Sequence, residues 1–346
     1  MNTFGRQFRI SIFGESHGNA IGVVMDGVRA GIPLCEEDFM ADILRRKSGK
    51  KGTTPRIEAD EPQILSGVFE GHTTGAPLTV IFRNANTRSG DYSLFRDIPR
   101  PGHADRCASI KWHDFNDPRG GGHFSGRITL PIVAAGTVAK KMLGICPHAT
   151  VIRIGGVSRA EALAGRTDDG SLSDQQIWND VLDAALRERD SVGGVVECRI
   201  DSVPVGLGEP FFDSVEALIS HAIFSIPGVR GIEFGDGFAA ADMKGSEHND
   251  PYGDNDPDGS GPLPSKNGAG GVNGGISNGN PIVFRVAFKP TSSIGRAQRT
   301  YDFSKGMMTT LETPGRHDAC FALRTPVIVE AMAALVLADL AAVASR

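Results

Sequence analysis

Polar and apolar residues alternate along Gln7-Phe8-Arg9-Ile10-Ser11-Ile12-Phe13, and the run stops at Gly14. A period of two turns one face to a core and the other to water, so this stretch reads as a strand. Residues 20–26 are extended, and 80–83, 150–154, 194–200, 231–234 and 281–288 read as further strands. Helical spacing appears at 36–47, whose arginines lie at the C-terminal end where the macrodipole favours cations. It recurs at 130–143, at 173–189 with Ser173 as cap, and at 214–224. A last helix runs from Val327 and is apolar almost throughout. Residues 326–342 could be mistaken for a membrane span, but the stretch carries Glu330 and Asp339 and falls short of the needed length. A buried helix is expected there, with no membrane partner.

Two segments lack a period. Residues 88–122 are rich in Asp, Arg, Pro and Gly, and long ordered loops tend to carry function. Residues 244–267 read as a solvated loop or a flap over a site. A glycine-rich turn at 268–279 leads into the strand after it. Strands and helices mix without a repeat, and no linker cuts the chain. One domain over residues 1–346 is expected, of α/β or α+β class.

Composition narrows the ligands. The net charge is −5, with no basic run, so any polyanion must be held by a local cluster of arginines. Only 2 Trp and 3 Tyr are present, which argues against a stacking surface, and no nucleic-acid partner is expected. The 5 cysteines are odd in number and scattered, without a C-x-x-C pair. Reduced thiols in the cytoplasm follow from that. The first residues have no apolar signal core.

Five motifs carry chemistry. Gly14-Glu15-Ser16-His17-Gly18 has the form of a hydrolase nucleophile elbow, but only 13 residues precede it and an extended segment follows it. His17 is instead a titratable group on a strand-end turn. Arg100-Pro101-Gly102-His103-Ala104-Asp105 sets an arginine beside a histidine on a sharp turn. That pair suits a phosphate ester: one group holds the anion and the other gives a proton as it leaves. Arg119-Gly120-Gly121-Gly122 precedes a helix, with Ser125 and Arg127 as further donors. Phe288-Lys289-Pro290-Thr291-Ser292-Ser293-Ile294 offers a lysine and three hydroxyls. Gly315-Arg316-His317-Asp318 adds an arginine and a proton acceptor. A zinc set from His103, Cys107, His113 and His123 fits no standard spacing. A calcium loop at Asp254, Asp256 and Asp258 lacks its twelfth-position glutamate. Gly268-Ala269-Gly270 has Asn273 where a dinucleotide fingerprint needs a third glycine. The residues together point to a small polyanionic substrate and acid–base chemistry.

In this set and order, the motifs resemble the chorismate synthase family. The matching stretches include those above, Leu44-Arg45-Arg46, Asn86-Thr87-Arg88-Ser89, Val133-Ala134-Ala135-Gly136, and Gly274 to Gly279. The resemblance implies an α+β fold, a β-α-β sandwich of antiparallel sheets and helices, and a homotetramer. It implies an anti 1,4-elimination of phosphate from 5-enolpyruvylshikimate 3-phosphate, dependent on reduced FMN without net redox change. Arg46, Arg100, Arg127 and Arg316 would clamp the substrate. His103 would be the general acid, His17 would steady the reduced flavin, and Asp318 would assist proton removal. Ser125, Gly126, Asn267, Gly270, Gly271, Lys289, Thr291, Ser292, Ser293 and Arg316 would hold FMN. The family's flavin chemistry brings in FAD and NADP, but no extra domain offers a nicotinamide site. An external reductant is therefore expected. A non-catalytic binder of flavin or phosphometabolites is the alternative of another class. The chain departs from the family pattern at His123, Ile128, Lys50, Lys51 and Arg106.

Overall fold

The computed structural model describes residues 2–55, 58–85, 94–164, 170–254, 261–313 and 317–345. Thr3–Phe4 (β1), Arg9–Gly14 (β2), Ala20–Asp26 (β3), Gln63–Ser66 (β4) and Leu78–Arg83 (β5) form an antiparallel sheet, in the order β1-β2-β3-β5-β4. Its register sets Ile21 opposite Phe82 and Val23 opposite Val80, and all four side chains are fully buried. His148–Ile154 (β6), Val157–Ser158 (β7), Gly194–Ile200 (β8), Val229–Phe234 (β9) and Ile282–Phe288 (β10) form the second sheet, in the order β9-β10-β8-β6-β7. Along β10 the residues Ile282, Phe284, Val286 and Phe288 are buried, while Arg285 on the other face pairs with Glu197 and Glu233. That alternation is the signature of a sheet with one face on the core.

The helices used below are Met40–Arg46 (α1), Asp105–Lys111 (α2), Thr129–Leu143 (α3), Val215–Ile223 (α4) and Pro326–Ala344 (α5). Helix α3 lies on β2, β3 and β5, and α5 lies on β6 and β8, with α3 and α5 packed against each other. The layers therefore run sheet, helices, sheet, as the resemblance implies. A Cβ on Gly136 would stand 2.3 Å from Ala331 Cβ, so the two helices cross almost backbone to backbone. Helix α3 ends at Gly144, in the left-handed region at φ 69°.

Helix α5 corrects one expectation: its 19 residues are long and apolar enough, by length and composition, to cross a membrane. In the fold it is buried between the sheets. A helix apolar on all sides must be covered on all sides. Its two carboxylates are answered. Glu330 takes both Nη groups of Arg45, at 2.6 and 2.7 Å, and the Ala149 N–H at 2.9 Å. Asp339 accepts the backbone N–H groups of Arg6, Gln7 and Phe8.

Two local readings change. The helix expected over 173–189 is broken into Asp174–Ile177 and Asn179–Arg187. Trp178 leaves helical geometry so that its indole can enter the core and donate to Val157 O at 3.0 Å. Ser173 does cap the first piece, with Gln176 closing the capping box. The irregular segment 88–122 contains α2, a helix too short to show a hydrophobic period.

Candidate active site

A cavity of about 510 Å³ opens between the two sheets' loops, within the range of roughly 300–1,000 Å³ usual for small-molecule sites. Among its described lining residues are seven cations, Arg46, Lys47, Arg100, Arg127, Arg230, Lys289 and Arg324, against three carboxylates, Glu58, Asp60 and Asp318. The local field is thus positive inside a chain whose net charge is negative, the condition for an anion site.

Its deepest part is built on Asp60. Arg46 ends α1 and donates Nη2 to Asp60 Oδ2 at 2.9 Å. Arg127, in the turn before α3, donates Nη1 to Asp60 Oδ1 and Nε to Asn84 Oδ1 at 2.8 Å. Burial would raise the Asp60 carboxyl, but the charges and hydrogen bonds of Arg46 and Arg127 hold it below its ordinary value. Burial, opposed by Asp60 and reinforced by Arg324 and Arg127, pulls Arg46 down to about 10, so it stays charged at neutral pH. Beside this pair, Arg324 Nη2 donates to Asp318 Oδ2 at 2.9 Å and the Thr54 N–H donates to Asp318 Oδ1 at 2.9 Å. Among the described residues, Arg46 Nε, Arg127 Nη2 and Arg324 Nε are buried with no hydrogen-bond acceptor. Buried donors are almost always paired, so three in one cavity suit an anionic group.

The second centre is His103. Its Nδ1 lies 2.6 Å from Asp105 Oδ1. Arg100 donates Nε and Nη2 to the same carboxylate at 2.8 and 2.7 Å, and Nη1 to Ser293 Oγ at 2.9 Å. Burial would raise Asp105, but hydrogen bonds from Arg100 and His103 outweigh it and hold the carboxyl well below the carboxylate range. Arg100 lines the cavity, yet its fork is committed to Asp105 and Ser293. Arg100 thus braces Asp105 and also lies directly against His103, its Nη2 3.0 Å from the ring Nδ1.

The triple glycine supplies the near wall. Gly120, Gly121 and Gly122 all have positive φ, at 62°, 81° and 53°. An added Cβ on Gly120 would stand 2.4 Å from the His17 ring, so His17 lies directly behind a glycine that lines the cavity. The Ser16 N–H bonds Gly122 O at 3.2 Å, and Asn84 Nδ2 bonds Glu15 O and Gly18 O, tying the His17 turn to Arg127. Ser16 is fully buried and strand β3 follows it, which excludes the hydrolase elbow. His123 turns from the cavity to Gly14 O and Asn2 Oδ1.

The lining also includes Ser125 and Gly126, just after the glycine run, and Lys289, Thr291, Ser292, Ser293 and Phe321. Burial, helped by Arg230, pulls Lys289 below its ordinary value. Thr291 Oγ1 is buried without a partner among the described residues. These groups, with the glycine edges at 120–121 and 228, fit a flat, phosphate-bearing ligand. Asn267, Gly270 and Gly271 do not line the cavity. They pack on Pro281, Gly235 and Val283 at the start of β10, while Lys289 follows its end. The strand separates the two ends by roughly 20 Å. The described parts of 244–267 are anchored at that same far end, through Asp250 to Gly268 and Ala269, and do not cover the cavity as a flap. Arg316, residues 86–93, and Asp256 and Asp258 of the rejected calcium loop lie outside the described residues. Among the described residues no metal cluster forms.

Sequence reasoning missed Asp60, Asn84, Arg230 and Arg324. Arg324 had a signal: it is the one charge in the apolar run from Ala319 to Val329.

Comparison with known proteins completes the description. The family profile described as chorismate synthase matches residues 8–342. A chorismate synthase of Chitinophaga pinensis is 55% identical over 341 residues, covering 98% of this chain and 96% of its own. One of Korarchaeum cryptofilum is 45% identical, covering 97% and 96%. A crystal structure of chorismate synthase aligns with a TM-score of 0.72 at 27% identity, covering 97% of this chain and 92% of that one.

Proposed function

Because this chain belongs to the chorismate synthase family, we propose that it eliminates phosphate from 5-enolpyruvylshikimate 3-phosphate to give chorismate, as a carbon–oxygen lyase using reduced FMN. The observation that carries the reading is the set of three buried arginine N–H donors without acceptors beside Asp60 and Asp318. The substrate bears a phosphate and two carboxylates, and buried guanidiniums bind such groups strongly.

Each residue then has a task. Arg46, Arg127 and Arg324 bind and orient the substrate's three anionic groups. His103, fixed by Asp105, gives its proton to the departing phosphate oxygen. Asp318, held on both oxygens, takes up the proton lost from C6. Lys289, Thr291, Ser292, Ser125 and Gly126 hold the flavin, with His17 behind Gly120 as a nearby proton donor. Held there, reduced flavin would supply electron density to the substrate.

On the same reading the flavin is reduced by an external donor, and the protein works in the cytoplasm as a homotetramer, on a small molecule rather than a membrane or nucleic acid. Five unpaired cysteines support a reducing compartment. NADPH and FMN alone are expected to give no turnover; product formation under those conditions would contradict the external donor.

The test is anaerobic reaction of the substrate with dithionite-reduced FMN. Chorismate and phosphate are expected in equal amounts, and neither with oxidised flavin. Tight binding of both ligands without turnover would show a non-catalytic binder instead.

A further inference from the structure

Asp60 is 3% exposed and sits at φ 55°, a left-handed backbone position that non-glycine residues seldom occupy. Such strain persists only where the surroundings enforce it, and it gathers at functional sites. Here the surroundings are two cations from different parts of the fold. Arg46 comes from α1 and Arg127 from the turn before α3, each giving one Nη group to one oxygen of the same carboxylate. Lys47 Nζ holds the neighbouring Ala59 carbonyl at 2.8 Å. The three side chains carry a net charge of +1, and their remaining buried donors, Arg46 Nε and Arg127 Nη2, are unanswered among the described residues.

Two guanidiniums so close would repel and rotate apart without an anion between them. With Asp60 in place, the pair is assembled before any ligand arrives, and each guanidinium keeps a buried N–H without an acceptor among the described residues. We infer that Asp60 is a positioning residue for substrate recognition: it is the fixed counter-ion that holds Arg46 and Arg127 as one preassembled site for an anionic group of the substrate. This rests on the functional reading above for the identity of the substrate, though not for the geometry.

The experiment compares wild type with Asp60→Asn, which keeps the size but removes the charge and turns an N–H toward a guanidinium. Calorimetry reads the Kd for 5-enolpyruvylshikimate 3-phosphate, fluorescence quenching reads the Kd for oxidised FMN, and single-turnover rates are taken at saturating substrate. Substrate affinity is expected to fall roughly ten- to a hundredfold, the effect of losing a charge-assisted contact. FMN affinity and the saturated rate should change less than about threefold, a split that general loosening of the fold would not give. Equal losses for substrate and FMN, or unchanged substrate affinity, overturn the proposal. If Asp60→Asn does not fold, Asp60→Glu keeps the charge and displaces it; a selective loss of substrate affinity again supports the proposal, and no loss overturns it. Wild type that binds the substrate without turnover refutes the functional reading, while the binding comparison still decides the role of Asp60.

Discussion

Asp105 accepts from His103 on one oxygen and from Arg100 on both, so one carboxylate fixes the imidazole and is itself fixed by the arginine. The donor to Asp105 is the ring Nδ1, which sets the tautomer and the tilt of the ring.

A ring held for proton donation should matter to rate more than to binding. His103→Ala is expected to lower the single-turnover rate by roughly 10²–10⁴ while the substrate Kd changes little. Stopped-flow release of phosphate beside a binding titration measures both. An unchanged rate would remove His103 as the general acid.

The same carboxylate governs behaviour in acid. Its hydrogen bonds keep Asp105 ionised in the folded protein well below the ordinary aspartate value near 4, so the unfolded chain takes up the proton first as pH falls. Its contribution to stability is full above pH about 4 and is lost progressively below it. Asp60, also depressed, acts in the same direction. Urea midpoints measured from pH 6 to pH 3 should fall steeply below pH 4 in wild type. Asp105→Asn should start lower and fall less steeply. Parallel curves would mean that Asp105 does not contribute to the acid limb.

Arg324 and Asp318 form a pair about one-tenth exposed on each side. Removing one partner of such a pair leaves a buried charge and costs about 3 kcal/mol. Arg324→Met should therefore lower the thermal midpoint and reduce turnover as well, because among the described residues Asp318 then keeps only the Thr54 N–H. Wild-type melting and turnover in this variant would show that water replaces the guanidinium.

Two glycines separate backbone strain from steric contact. Gly120 and Gly144 have similar φ, 62° and 69°, but an added methyl meets the His17 ring at Gly120 and nothing within 4 Å at Gly144. Gly144→Ala should cost about 1 kcal/mol and leave activity intact. Gly120→Ala should cost about 1–3 kcal/mol more and abolish most turnover by displacing His17 or the cavity wall. Equal activity in the two variants would detach His17 from the site.

What was legible in the sequence followed from local periodicity. The strand at Gly194–Ile200 and the extended run at Ala20–Asp26 were found to the residue, because one face of each is buried without interruption. The break at Trp178 was hidden, since the amphipathic period runs through it and its cause is a carbonyl 21 residues earlier in the chain. Arg46 and Arg127 stood in recognisable motifs. Asp60 did not: among Glu58, Asp60 and Glu61 it resembled a solvated acidic run, and only the fold shows two arginines converging on it. The flavin role of Gly270 and Gly271 came from the resemblance and not from a local pattern, and the fold sets them at the start of β10, away from the described cavity lining.

Asp339 binds backbone N–H groups 331 to 333 residues earlier in the chain. During synthesis at about 5–20 residues per second, the segment Arg6–Phe8 waits for the order of a minute or less before its acceptor exists. Strand β2 lies just beyond that segment, so the first long strand made is among the last parts of the fold to be secured. Until α5 arrives, the inner face of the second sheet lacks its cover, and α3, already on the first sheet, has no helix to pack against. The helix that looks most like a membrane anchor is thus the piece whose late arrival decides how long the growing chain is exposed to aggregation.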